Sequence, residues 1–215
     1  MTRGFFVTVD GPSGVGKSTT INALQRLLEG QGRNVLLTTE PPRTALGLFT
    51  RQNASTIHGL ALACLVAAAR YEHIDTTVTP AMDEGRLLIS DRYLASTLVL
   101  QRLDGVPLEF LLALNQHAPN PDLAVILTAS PDTIAERIAA AGITHRFRGD
   151  PKGPDQEVAF YEEAAVLLEQ RGIDVLRVDS SAITPSAVAG HIAEAILRRR
   201  LPSISSTARP TPQEP

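Results

Sequence analysis

The residues best suited to chemistry begin at 8–20, TVDGPSGVGKSTT, where an apolar run gives way to glycines and then to a helical pattern. The segment fits G-x-x-x-x-G-K-[ST] through Gly11, Gly16, Lys17 and Ser18, with Gly14 inside the loop. Polyphosphate oxygens need several backbone N–H groups converging on one concavity, and a Cβ there would block the approach. Glycine removes that Cβ and tolerates positive φ. Lys17 supplies a cation for the terminal phosphates, and Ser18 a hydroxyl ligand for Mg²⁺. The spacing predicts a site for a nucleoside triphosphate.

Further along, LLISDRY (Leu87 to Tyr93) reads as a buried strand ending in a carboxylate. Asp91 at that end faces the same crevice and is expected to hold Mg²⁺ through water, with Arg92 beside it. Arg70 interrupts the apolar run of AARYEH, and a charge there needs a partner. TTEPPRT (Thr38 to Thr44) follows another strand. THRFRGDPKG (Thr144 to Gly153) puts arginines on a loop between helices, where they suit the charge of transferring phosphates.

These residues need a scaffold. Phe5 to Val9, Asn34 to Thr39, Arg86 to Ser90, Leu123 to Thr128 and Asp174 to Val178 read as strands, mostly continuous in apolar residues as strands covered on both faces are. Helices are expected near 17–30, 56–73, 107–117, 131–141, 156–171 and 184–199, with Pro131 and Pro185 at helix starts. The alternation predicts an α/β protein, a five-stranded parallel sheet between two layers of helices, as one domain over 1–200. The tail 201–215, rich in Pro, Ser and Thr, is expected to be disordered.

Composition narrows the classes. The 215 residues carry a net charge of -3 and no Trp, so the core must be aliphatic and no basic field recruits nucleic acid or anionic membrane. Cys64, the one cysteine, sits in LALACLVAAA and is expected to be a small buried hydrophobe. No signal-peptide layout and no apolar run of the ~20 residues that span a bilayer are present, which predicts a cytoplasmic protein. The five histidines have no metal-ligand spacing, and His73 is expected to pack or hydrogen-bond near a helix end.

Taken in order, DGPSGVGKSTT, TTEPPRTALG, AARYEH, SDRYLAST, PDLAVIL and the arginine-bearing THRFRGD resemble a thymidylate kinase of the P-loop nucleoside monophosphate kinase group, over about residues 3–198. The resemblance implies the P-loop NTPase fold with a short lid at 142–153. It implies that ATP, with Mg²⁺, binds Gly11, Pro12, Ser13, Gly14, Val15, Gly16, Lys17, Ser18 and Thr19, with Arg137 packing on adenine. Arg92 would grip the acceptor's phosphate and Arg70 would reach its base. Asp10, Glu40, Arg43, Val66, Ser96, Thr97, Leu100 and Gln101 would complete the acceptor site. Arg146 and Arg148 would act from the lid on the transferred phosphoryl group, with Lys17 and Arg92 as the other catalytic residues. A homodimer packed through long apolar helices, such as residues 57–69, is implied as well.

The sequence also departs from that pattern. Arg43 replaces a glycine of the bacterial REPGGT, where the eukaryotic type keeps a phosphate-gripping arginine. Ser13 stands for a common acidic loop residue, and Arg148 for a lid acidic residue. Val66 and Leu100 replace aromatics that line the base pocket; base stacking is worth about 1–3 kcal/mol. Three alternatives to dTMP phosphorylation therefore stay open. They are a kinase for a modified pyrimidine nucleotide, a deoxynucleoside kinase with Glu40 as base, and a nucleotide sensor without turnover.

Overall fold

The computed structural model describes residues 3–141 and 153–200. Five parallel strands, β1 (Phe5–Asp10), β2 (Val35–Thr39), β3 (Leu87–Asp91), β4 (Leu123–Thr128) and β5 (Val175–Asp179), form one sheet in the order β2-β3-β1-β4-β5. All five anticipated strands are present, with ends shifted by at most a residue. The chain leaves β1 for the edge strand β2, returns to β3, and then crosses to β4, so β1 lies where the strand order reverses. Ligands of such sheets bind at the carboxyl ends of the strands beside that reversal.

The period of two divides the sheet residues between two cores. Phe6, Leu88, Ala124 and Ile126 face one layer; Val7, Val9, Leu87, Ile89, Val125 and Leu127 face the other. The second layer holds α1 (Lys17–Gly30) packed on α9 (Pro185–Arg200), whose Leu24, Leu28, Ile192 and Ile196 are buried. The first holds α3 (Gly59–His73), α5 (Leu94–Leu103), α6 (Leu108–Leu114) and α8 (Gly153–Gln170), with α5 against α8. Two shorter helices, α2 (Ala45–Asn53) and α4 (Thr79–Asp83), and α7 (Pro131–Ala141) complete the described elements; the π-helical turn Ile74–Val78 joins α3 to α4.

Three helices lie outside the sequence expectation. In α5, Leu94 to Val99 and Gln101 are all buried, so the helix has no polar face to betray its period. α2 spans nine residues and owes its start to Thr44, whose hydroxyl accepts the Gly47 N–H at 3.1 Å. α4 is five residues closing a run that begins at Gly59.

Cys64 corrects the expectation of a buried thiol: it is exposed. α3 turns Leu62, Ala63, Ala67, Ala69 and Arg70 inward, and leaves Leu60 and Cys64 on its outer face. Its run is apolar on both faces, so periodicity could not say which would be covered.

The α1–α9 seam gives a direct test of the second layer. Ile192→Ala, at a fully buried side chain, should cost about 2–5 kcal/mol. Urea unfolding should show a lower midpoint at an unchanged m-value.

Candidate active site

The glycine-rich loop leaves β1 at its carboxyl end and runs into α1. Gly11, Gly14 and Gly16 have φ of 147°, 78° and 97°, in the range L side chains rarely adopt. A Cβ at Gly11 would lie 2.4 Å from the Leu127 carbonyl oxygen, so the loop passes against β4 only because that position is bare. Gly16 precedes α1 directly, which leaves the helix's first N–H groups open toward the crevice. Lys17 folds back over the loop, its Nζ donating to the carbonyls of Gly11 at 2.7 Å and Pro12 at 2.9 Å. Burial, and then the nearby Arg92, push its ammonium down to about 7.

Strand register brings the next groups level. Asp91 pairs with Val9 of β1 and Thr39 of β2, so Asp10, Glu40 and Arg92 follow one step further along three adjacent strands. The Arg92 N–H donates to Val9 O and the Glu40 N–H to Asp91 O, each at 3.0 Å. Alternation then sends Asp91 toward α1, where Ser18 Oγ donates to its Oδ2 at 3.3 Å, and sends Arg92 to the opposite layer. Asp91 Oδ1 is buried with no hydrogen-bond partner. A hydroxyl and a carboxylate oxygen without a partner form a donor set that suits a hard divalent cation.

On the other layer Asp10 is fully buried. Its Oδ1 accepts the N–H of Tyr93 at 2.9 Å and of Ser96 at 3.0 Å, at the first turn of α5. Burial raises its carboxyl above the usual range against the lowering pull of those bonds. Arg92 has φ of 76°, and its Nη1 lies 3.2 Å from Ser96 Oγ and 3.4 Å from the Tyr161 hydroxyl.

Arg70 and Glu40, 1% and 4% exposed, form a buried ion pair, Nη2 to Oε2 at 2.6 Å with Nε donating to the same oxygen at 2.8 Å. The guanidinium also donates to Asn115 Oδ1 at 2.6 Å, Thr97 Oγ1 at 2.7 Å and Tyr93 O at 3.2 Å, and lies 5.0 Å from the Tyr93 ring centre. Burial alone would lower its pKa; Glu40 more than reverses that. The other Glu40 oxygen is 3.3 Å from His73 Nδ1, and His73 Nε2 is 2.6 Å from Thr38 Oγ1, so this histidine is hydrogen-bonded at a helix end as expected. Val66 and Leu100 are half-buried on the flanking helices, and Gln101 is buried with its Oε1 unpartnered.

A cavity of about 690 Å³ runs along the loop from Glu40, Asp91 and Arg92 to Arg137, Ile183 and Val188. Arg137 binds the loop itself, donating to Val15 O at 3.3 Å and Ser180 O at 2.8 Å. Pro12, Ser13 and Thr19 belong to the loop and the first turn of α1, Thr19 with its side chain exposed. Arg43 is exposed and lines a neighbouring space of about 930 Å³ beside β2. Arg146 and Arg148 lie outside the described residues.

Sequence reasoning missed Arg51, Glu157, Asn115 and Tyr161. Arg51 lines both spaces and donates to Pro41 O at 2.5 Å, but sits on the unanticipated α2. Glu157, 2% exposed, accepts the Ser13 N–H at 3.3 Å, whereas the sequence marks this stretch only as the start of a helix over 156–171, with YEEAAVLLEQ an amphipathic face.

A parallel sheet with a glycine-rich phosphate loop at its switch point, facing basic groups across one crevice, defines a P-loop phosphotransferase. The family model described as thymidylate kinase matches residues 9–181. A probable thymidylate kinase of Pyrococcus abyssi is 39% identical over 153 residues, 67% of this chain and 75% of that protein. One from Caldivirga maquilingensis is 36% identical over 146 residues, 66% of this chain and 71% of that protein. A thymidylate kinase of Xanthomonas oryzae pv. oryzae is 38% identical over 141 residues, 65% and 62% respectively. The chain belongs to the thymidylate kinase family. No described helix is long and apolar enough to cross a membrane.

The buried ion pair gives the site's structural prediction. Glu40→Ala leaves the Arg70 charge uncompensated and should cost about 3–5 kcal/mol in urea unfolding. Glu40→Gln, which keeps an acceptor for the guanidinium, should cost measurably less.

Proposed function

We propose that this chain transfers the γ-phosphoryl group of ATP to the phosphate of dTMP, giving dTDP and ADP, with residues 1–200 as one catalytic domain. The observation that carries the reading is the pairing of the acceptor-side charges. Glu40 is occupied by Arg70 and His73, whereas Arg92 binds hydroxyls. A hydroxyl acceptor would need a carboxylate free to take its proton. A phosphate acceptor is already nucleophilic and needs a cation to hold it. That favours the monophosphate over the nucleoside, and the family's named members favour dTMP.

In this reading a dTMP phosphate oxygen attacks the γ-phosphorus, and the bond to the β–γ bridging oxygen breaks, with its electrons leaving on ADP. The loop N–H groups and Lys17 hold the donor phosphates, and Arg137 braces the loop at the adenine end. Ser18 and Asp91 would hold Mg²⁺, which when bound neutralises the β- and γ-phosphate oxygens. Arg92 grips the acceptor phosphate, with Asp10, Ser96 and Thr97 fixing the helix beneath it. Arg70, Val66, Leu100 and Gln101 line the base end, held behind by Glu40. Arg43, Arg146 and Arg148 add charge around the transferred group. Little covalent chemistry is asked of the protein beyond positioning and charge.

The half-exposed Leu48 and Phe49 of α2 and Leu60 of α3 suit an apolar contact between two copies, so we assign a homodimer. We propose the cytoplasm as its compartment.

ADP release with Mg-ATP should be fastest with dTMP among dTMP, dUMP, dCMP, 5-substituted pyrimidine monophosphates and thymidine. Turnover of thymidine alone, or of a modified monophosphate alone, would overturn the assignment.

Lys17 gives a pH prediction. Its empty-site pKa of about 7 lies below the ordinary 10.5, so above pH 7 the unliganded amine is neutral. Polyphosphate favours the charged form, so binding must take up a proton there and none well below. Calorimetry in buffers of different ionisation enthalpy should find uptake approaching one proton per ATP near about pH 8.5 and little near about pH 6. Lys17→Met should abolish the difference.

A further inference from the structure

One buried polar group has no part in the reaction so far. Tyr161 of α8 is 0% exposed, and its hydroxyl lies 3.4 Å from Arg92 Nη1 and 3.1 Å from Ser96 Oγ. Ser96 Oγ accepts from the same Nη1 at 3.2 Å, closing a triangle of two hydroxyls and one guanidinium nitrogen. Ser96 is held in turn by its N–H to Asp10 Oδ1 at 3.0 Å.

The backbone of Arg92 is fixed as well. At a φ of 76° its N–H binds Val9 O at 3.0 Å and its carbonyl accepts Ser90 Oγ at 2.8 Å. The side chain thus starts from a fixed point, and only its far end needs holding. A carboxylate would hold that end more tightly but would cancel the charge. Hydroxyls orient it and leave the charge for an anion. Burial pushes the Tyr161 hydroxyl well above its usual range, which keeps it neutral at working pH.

We propose that Tyr161 is a positioning residue whose hydroxyl, with Ser96, holds the Arg92 guanidinium in the orientation that receives the acceptor's phosphate. This rests on the acceptor being a nucleoside monophosphate. A tyrosine that only filled space between α5 and α8 would be replaced by phenylalanine without kinetic consequence.

Tyr161→Phe should lower kcat/KM for dTMP about tenfold, the worth of one hydrogen bond to a charged group, with the KM for ATP unchanged within about twofold. A variant with unchanged kcat/KM for dTMP, or one that loses donor and acceptor parameters together with its thermal midpoint, overturns the assignment. Nitrogen-15 spectra of the wild-type protein supply a second arm. The Arg92 Nη signals, identified by their loss in Arg92→Lys, should be separate and slowly exchanging. A single averaged signal overturns the clamp whether or not Tyr161→Phe folds. If wild-type protein does not turn over dTMP, the proposed reaction fails, and the Arg92 signals still decide the clamp, whose dependence on Tyr161 is read from their collapse in Tyr161→Phe.

Discussion

Parallel register at the carboxyl ends of β2, β3 and β1 is the constraint on which the site depends. Val9, Asp91 and Thr39 are level, so Asp10, Arg92 and Glu40 leave the sheet side by side, all on the layer of α3, α5 and α8. Asp91, one residue earlier, goes to the layer of α1 and meets Ser18. Side-chain period two therefore separates the Asp91 carboxylate from the Arg92 guanidinium, which are neighbours in sequence. A slip of one residue in β3 would exchange their sides and leave both without partners.

Asp10 carries that constraint from the sheet into the helical layer. By accepting the N–H groups of Tyr93 and Ser96 it sits at the positive end of α5, where a carboxylate satisfies donors that the helix cannot pair itself. The helix so anchored presents Ser96, Thr97, Leu100 and Gln101, and it packs on α8, the source of Glu157 and Tyr161. The strand end, the helix start and the facing helix are thus joined around Arg92. The Arg70 cluster extends it through Thr97 to α5 and through Asn115 to the end of α6.

What the sequence made legible follows from which features are local. The strands were readable because continuous apolar runs mark strands covered on both faces, and the loop because its spacing is a backbone requirement. Asp91 and Arg92 were readable because they end such a strand. α5 was not, since burial on all sides erases its period, and Arg51 was hidden with the helix that carries it. Tyr161 and Glu157 were masked by acidic neighbours that do face solvent, Glu162 and Glu163 among them. The partners of Arg70 span residues 40 to 115, and no spacing rule joins them. Cys64 misled for a related reason: an apolar helix declares that it will be covered, but not by what.

The charges around the crevice share one property. Lys17 is held by carbonyls and Arg92 by hydroxyls, while Asp10 and Asp91 each keep one buried oxygen without a partner. Each group is oriented by bonds to neutral partners; burial disfavours both cations, but neighbouring groups that include Asp91 and Asp10 more than offset it at Arg92 and do not at Lys17. Arg70 and Glu40 are the contrast, a pair that neutralises itself and behaves as framework. The distinction between oriented and neutralised charge sets Lys17, Asp91 and Arg92 apart from that pair. The arrangement rests on the two apolar cores on either side of the sheet, one of which carries Phe6, Tyr93 and Tyr161 among its aliphatic residues.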